Sequence, residues 1–172
     1  MKVYDPMDIA NYLVVLSQKE NKDITNLKLQ KILFFVNAKH LIDNQGESLM
    51  NEKFQRWAYG PVMRSVYSNF KGFGSEKITE TQGKYVFDSS NPFNARYEPF
   101  NEESIDRKVQ VECKEVFNKL IDIDPFKLVE YTHNEELWSK YKDKINKHEA
   151  PEYNDKEIYD YFCNNSQGRI WE

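Results

Sequence analysis

Histidine and acidic residues at short spacings are the first places where this sequence could hold a metal ion. His133 and Glu136 stand three positions apart, which would place both side chains on one face of a helix. His133 and Glu135 also spell H-x-E, the start of the zinc deaminase signature, but the P-C-x-x-C that must complete it is absent. His40 and His148 stand apart from these residues and from both cysteines. We therefore expect no metal and no cofactor, and a structural hydrogen bond near a helix start for His133.

Patterns for a nucleophile or a phosphate site are also incomplete. The sequence has no G-x-S-x-G, and Cys113 falls in an apolar helical stripe, where inert packing is expected. Cys113 and Cys163 form no C-x-x-C, so neither a disulfide framework nor a zinc site is expected. The G-x-G of residues 72–74 follows a predicted helix rather than a strand. We expect a binding protein rather than an enzyme, with His133 as the first place to look if catalysis were found.

Composition predicts one folded domain in the cytoplasm. The chain has 172 residues, of which 40% are hydrophobic and 15% aromatic, enough to build a core. Its net charge of −4 argues against sequence-independent binding of nucleic acid, which needs a basic excess. The N-terminus lacks the uninterrupted apolar run of a signal peptide, and no segment approaches the roughly 20 apolar residues of a membrane span. No membrane association is expected.

Helix signals dominate the chain, and one helix is broadly apolar. Asp5 with Pro6, Thr25, and Asp124 with Pro125 are cap signals that predict three helix starts. The helix after Thr25 carries apolar residues over most of its surface, which predicts a place in the core. Its lysines fall on the remaining face and are predicted to be solvated: Lys28, Lys31 and Lys39. Further helices are predicted from Ser104 to Lys119, over residues 134–145, and from Asp155 to Cys163.

The predicted β content is small. Residues 52–60 favour an extended segment, which Gly60 ends and after which Pro61 begins a helix. Residues 77–90 indicate a hairpin that turns at Gln82 and Gly83, and residues 91–100, with two prolines, indicate a loop. The expected fold class is therefore α+β: a predominantly helical single domain with a small hairpin or sheet element.

Three segments together resemble one known family. They are "ITNLKLQKILFFVNAKHL" (24–41), "FQRWAYGPVMRSVYSNFK" (54–71) and "LVEYTHNEELWSKY" (128–141). In this order they resemble the Panacea domain, the SocA-like antitoxin family that also includes phage-associated proteins of the GepA type. The matching positions are Asn26, Leu27, Lys28, Leu29, Gln30, Lys31, Trp57, Tyr59, Gly60, Pro61, Val62, Val66, Tyr67, Thr132, His133, Glu135 and Trp138. Leu137 stands where the family usually has proline.

These motif residues are expected to be mainly structural. Tyr59, Gly60 and Pro61 predict a strand-to-helix corner, and Trp57 is expected to anchor that corner in the core. Lys28, Gln30, Lys31, Arg56 and His133 are candidates for surface positions or internal polar networks. The resemblance implies a Panacea-like domain over residues 1–147, with a variable insert at about 76–100, and a C-terminal helix and tail over 148–172.

The resemblance implies a non-enzymatic antitoxin of a toxin–antitoxin system. Such a protein binds and neutralises a protein toxin, and a family member can also act as a proteolytic adaptor that delivers its toxin to a protease complex. Two alternatives stay open: a phage or mobile-element inhibitor of a host defence protein, such as a CRISPR effector or a restriction enzyme, and a DNA-binding autoregulator. The expected partner is a protein, and the sequence identifies neither the toxin nor the oligomeric state.

The hairpin region carries the candidate partner-binding residues. Exposed aromatics and arginine dominate protein interfaces, and loops tolerate the variation that different partners require. The candidates are Tyr85, Phe87, Phe93, Arg96 and Tyr97. The apolar pair Ile170 and Trp171, on a polar tail, could dock on the domain or contact a partner, and the sequence does not decide between these.

Overall fold

One central helix packs against five other helices of the fold. The computed structural model describes residues 2–172, which form eight α-helices and two separate two-stranded antiparallel sheets. The helices are Pro6–Lys19 (α1), Asn26–Asp43 (α2), Arg64–Phe70 (α3), Arg107–Leu120 (α4), Pro125–Asn134 (α5), Glu136–Ser139 (α6), Lys142–Asn146 (α7) and Asp155–Asn164 (α8). The strands are Gln55–Trp57 (β1), Gly60–Val62 (β2), Lys84–Asp88 (β3) and Asn91–Glu98 (β4). The expected helical α+β class is confirmed.

Helix starts follow the predicted caps. The Asp5 carboxylate accepts a hydrogen bond from the backbone N–H of Met7 at 2.8 Å, and Pro6 is the first residue of α1. Thr25 caps α2, and Asp124 caps α5 with Pro125 in first position. These side chains satisfy backbone donors that have no partner inside the helix. All three predicted helix starts are confirmed.

The core is built around α2 and is rich in aromatic rings. Helix α2 contacts α1, α3, α4, α5 and α8, and residues on all of its sides are buried. Phe35 of α2 packs against Phe162 of α8 and against Trp171, with ring centroids 6.3 and 6.0 Å apart. Trp171 is 6% exposed. The C-terminal tryptophan therefore docks on the domain.

The corner around Gly60 differs from the prediction. Strands β1 and β2 form a tight hairpin that pairs Trp57 with Gly60 and Gln55 with Val62, so Pro61 lies in a strand. Helix α3 begins only at Arg64. Proline is tolerated here because a two-stranded sheet leaves one side of each strand unpaired. The predicted helix start at Pro61 was wrong by three residues.

The second hairpin also turns at a different place. Strands β3 and β4 are joined through Ser89 and Ser90, where the Asp88 carboxylate accepts from the N–H of Ser90 at 2.8 Å. Residues 91–98, expected to be a loop, form β4. Gln82 lies before β3, where its backbone N–H and C=O bond the side chain of Asn11 at 2.9 and 2.7 Å. A short Asx turn, and not the glycine, sets the hairpin.

Two later helices have other bounds than expected. Ser104 belongs to a 3₁₀ turn, Glu102–Ser104, and α4 begins at Arg107. Residues 134–145 are not one helix, because Glu135 has an extended backbone that separates α5 from α6. Lys140 and Tyr141 separate α6 from α7. No helix formed by residues 2–172 combines the length and apolar character needed to cross a bilayer.

Candidate functional site

The three motif segments meet at one buried corner beneath the β1–β2 turn. Gly60 has a φ of +93°, which favours glycine. A Cβ atom at this position would lie 2.4 Å from Thr132 Oγ1 and 3.2 Å from Lys31 Cε. The glycine is therefore required twice, by its backbone conformation and by the close approach of α2 and α5.

Lys31 is buried, not solvated as predicted. Its side chain is fully enclosed, and Nζ donates to the backbone carbonyl of Pro61 at 2.9 Å. Burial lowers the pKa of Lys31 to about 7, partly opposed by the charge of Glu135. Burial likewise raises the pKa of Glu135 well above its usual range, partly opposed by Lys31. The correction follows from the position of α2, which has neighbours on every side.

The other polar residues of the first motif bind backbone groups. Gln30 Oε1 accepts from the N–H of Met63 at 2.8 Å, and Asn26 Nδ2 donates to the carbonyl of Tyr67 at 3.2 Å. Lys28 Nζ donates to the carbonyl of Ile121, and Lys39 forms ion pairs with Asp43 and Glu115. Lys28 and Lys39 are thus half-buried rather than free in solvent.

Two residues of the third motif, on α5 and α6, contact the β1–β2 turn. The rings of His133 and Trp138 stack with centroids 3.7 Å apart. His133 Nε2 donates to the carbonyl of Ala58, and Trp138 Nε1 donates to the carbonyl of Trp57, both at 2.9 Å. Burial lowers the pKa of His133, and the neighbouring charge of Lys31 acts in the same direction. A neutral ring that donates from Nε2 fits this arrangement.

Arg56 connects the corner to the C-terminal part of the chain. Its guanidinium lies 4.1 Å from the ring centroid of Tyr141 and 4.0 Å from that of Tyr153. It donates to the carbonyls of Leu137 and Pro151 at 2.8 and 2.7 Å. It also forms an ion pair with Glu157 of α8. The planar guanidinium lies against two rings while its spread N–H groups reach three acceptors, a geometry that the compact ammonium of lysine does not reproduce. Trp57 next to it is only half-buried, so the predicted core anchor is wrong for this ring.

Polar side chains of this buried corner form hydrogen bonds with the backbone of the chain. A lysine with a pKa near 7 is partly uncharged at neutral pH, and the uncharged amine is the form that acts in catalysis. The side chain of Lys31, however, has no surface exposed to a substrate. The His133 ring is engaged by Ala58 and Trp138. Within residues 2–172, no three histidine, cysteine, aspartate or glutamate side chains are grouped to bind a metal ion. Cys113 is fully buried, which raises the pKa of its thiol. The carbonyls of Trp57, Ala58 and Pro61 in and beside the β1–β2 turn thus each accept a hydrogen bond from a motif side chain.

A second network of buried polar side chains was not predicted from the sequence. His40 Nδ1 lies 2.6 Å from Glu112 Oε2, and Asn44 Nδ2 donates to Glu112 Oε1 at 3.1 Å. Glu112 is 3% exposed. Glu112 shares the apolar stripe of α4 with Val109 and Cys113, at helical spacing. The position of Glu112 within an apolar stripe could have indicated this network, because a buried acid requires a hydrogen-bonding or charged partner.

The β3–β4 hairpin presents exposed aromatic rings. Tyr85 stands opposite Tyr97, with ring centroids 5.4 Å apart, and Phe87 opposite Ala95. The exposed fractions are 66% for Tyr85, 63% for Phe87, 51% for Tyr97 and 97% for Phe93. Arg96 pairs with Val86 across the ribbon and therefore lies on the other face, in an ion pair with Glu98. Tyr85, Phe87 and Tyr97 thus lie on one exposed face of the ribbon, and Phe93 is exposed beyond the register shift at Phe87 and Asp88.

The comparisons with known proteins agree with these motifs. Residues 29–139 match the model of the family described as "Antitoxin SocA-like, Panacea domain". A curated relative, "Antitoxin SocA" of Caulobacter vibrioides (strain NA1000 / CB15N), is 36% identical over 74 residues, which are 43% of this chain and 39% of the relative. The chain thus matches well under half the length of that relative. No solved structure matches the chain. The motifs, their convergence on one corner and the family match show that this chain belongs to the SocA-like Panacea domain family.

Proposed function

We propose that this protein is a non-enzymatic antitoxin that neutralises a protein toxin by direct contact through the aromatic surface of the β3–β4 hairpin. This aromatic surface consists of Tyr85, Phe87, Phe93 and Tyr97. The observation that carries the proposal is their exposure on a ribbon that belongs to neither the core nor the motif corner. Tyrosine and other aromatic side chains are the residues on which binding energy most often concentrates.

The ribbon geometry supports this role. Both outer edges of β3 and β4 lack a strand neighbour within the described residues, so each offers backbone donors and acceptors to an extended segment of a partner. An isolated two-stranded ribbon is marginally stable by itself, and contact with a partner would stabilise it. The net charge of −4 also favours a basic partner.

Coexpression with the neighbouring open reading frame tests the proposal. If that reading frame encodes the toxin, its expression arrests bacterial growth and this protein restores it. The quadruple variant Tyr85→Ala, Phe87→Ala, Phe93→Ala and Tyr97→Ala is expected to fold but to lose the rescue and at least about 100-fold in affinity for the purified toxin.

A matched control removes exposed apolar side chains elsewhere. Phe126, Val3 and Val111 are 62%, 48% and 46% exposed and lie outside both the hairpin and the family motifs. Their triple alanine variant should rescue growth as the unaltered protein does. Loss of rescue in this control but not in the hairpin variant would contradict the hairpin placement. A harmless neighbouring gene would contradict the antitoxin function and favour inhibition of a host defence protein.

A further inference from the structure

A separate cleft lies on the solvent side of the motif corner. It has a volume of about 910 Å³ and runs between the end of β1, helix α3 and residues 145–152. This volume falls in the range of about 300 to 1,000 Å³ in which ligand sites are found. None of the residues that line it belongs to the β3–β4 hairpin.

The wall of the cleft is aromatic and held in place. The rings of Trp57 and Tyr67 meet edge to face with centroids 4.9 Å apart, and Ile145 also lines the cleft. Trp57 Nε1 donates to Gln55 Oε1 at 3.0 Å. The carbonyl of Trp57 is bound by Trp138. The ring and its backbone are therefore fixed before any ligand arrives, which lowers the entropy lost on binding.

The cleft is also locally basic, against the charge of the whole chain. Arg64 and Lys71 line it and are exposed, and within residues 2–172 neither forms an ion pair. The acid on the lining, Glu152, accepts from Gln55 at 3.4 Å. Arg56 also reaches the cleft, but its charge is matched by Glu157. Two cations without an ion pair thus flank an aromatic wall, opposed on the lining by the single carboxylate of Glu152, so the cleft has an excess of positive charge in a protein of net charge −4.

We propose that this cleft binds an acidic peptide segment of a partner protein that carries a phenylalanine or another large apolar side chain. The apolar side chain lies against Trp57, Tyr67 and Ile145, while neighbouring carboxylates pair with Arg64 and Lys71. Charge complementarity selects this occupant. Nucleic acid fits less well, because binding through phosphates uses many cations and the chain as a whole is acidic. The site is independent of the hairpin and of the proposed antitoxin function.

Fluorescence anisotropy with a labelled peptide tests the cleft. The probe is a short peptide of alternating Asp and Glu around one central Phe. Two comparison probes replace the acids with Asn and Gln, or the Phe with Ala. Saturable binding of the first probe, weakened about tenfold or more in each comparison probe, is the expected result. Absence of saturable binding, or equal binding of all three probes, overturns the proposal.

Matched charge reversals place the binding on the molecule. Arg64→Glu/Lys71→Glu is expected to weaken binding of the acidic probe at least about tenfold. Arg107→Glu/Lys114→Glu makes the same change of charge on α4, at exposed positions that do not line the cleft, and should leave the affinity unchanged. Equal losses in both variants would show only non-specific attraction and overturn the site. If circular dichroism shows that Arg64→Glu/Lys71→Glu does not fold, Arg64→Gln/Lys71→Gln replaces it. A single-stranded oligonucleotide that binds more tightly than the acidic probe would also overturn the proposal.

Discussion

Replacing Lys31 with Met would leave Glu135 as an isolated acid in the core. Burial already raises the pKa of Glu135, and the charge of Lys31 opposes that rise. Without Lys31 the folded-state pKa rises further. Between the ordinary pKa of glutamate and this raised value, the folded state binds more protons than the unfolded state. The free energy of unfolding therefore falls as pH rises through that window, by about 1.4 kcal/mol per pH unit.

The effect is measured by urea unfolding of two variants across about pH 5 to pH 8. Lys31→Met retains the titrating carboxyl, while Lys31→Met/Glu135→Gln replaces it with an amide of the same shape. Both lose the hydrogen bond to Pro61, so that cost cancels between them. The free energy of unfolding of the double variant should exceed that of the single variant. The difference should grow with pH, by about 2.7 kcal/mol over two pH units inside the window. A margin that does not change with pH would refute the burial of a titrating Glu135.

Three further substitutions test the packing described above. Gly60→Ala should lower the free energy of unfolding by about 3 kcal/mol or more, from backbone strain and overlap with Thr132. Gly74→Ala is also strained by its positive φ but has open space around the added Cβ, so it should cost less than Gly60→Ala. Arg56→Lys keeps the charge but loses the planar contacts with two rings and two carbonyls, and urea unfolding should show a loss of about 2 to 4 kcal/mol. Trp171→Ala should cost about 3 kcal/mol and lower the thermal midpoint, whereas an unchanged midpoint would show that the tail does not dock.

Cap signals in the sequence predicted the starts of α1, α2 and α5, but not where polar side chains would lie. A cap such as Asp5 acts within one turn, so its neighbours suffice to identify it. The burial of Lys31 depends on the packing of α1, α3, α4, α5 and α8 around one helix, which no window of α2 contains. Lysine on a helix face is ordinarily solvated, and a helix enclosed on all sides is the exception.

The family motifs predicted which residues matter, without showing how they meet. Gly60, Lys31 and Thr132 are far apart in the chain, and their contact appears only when the helices are docked. The hairpin was predicted in the right region, but its turn was assigned to Gln82 and Gly83 because the turn chemistry of Asp88 and Ser90 was overlooked. The cleft beside Trp57 could not be predicted at all, since its walls come from three separate segments.

The pair of hydrogen bonds between Asn11 and Gln82 has a consequence for how this family could diversify. Asn11 is buried in α1, and its side chain forms two hydrogen bonds with the backbone of Gln82 just before β3. These bonds attach the β3–β4 hairpin to the core at one fixed point. The side chains of β3 are exposed along the whole strand and take no part in the core. A segment attached in this way can be exchanged as a unit: residues 84–98 of one family member, grafted after the residue that corresponds to Gln82 in another, should leave the helical frame intact. If the hairpin binds the partner as proposed, the graft would also transfer partner specificity.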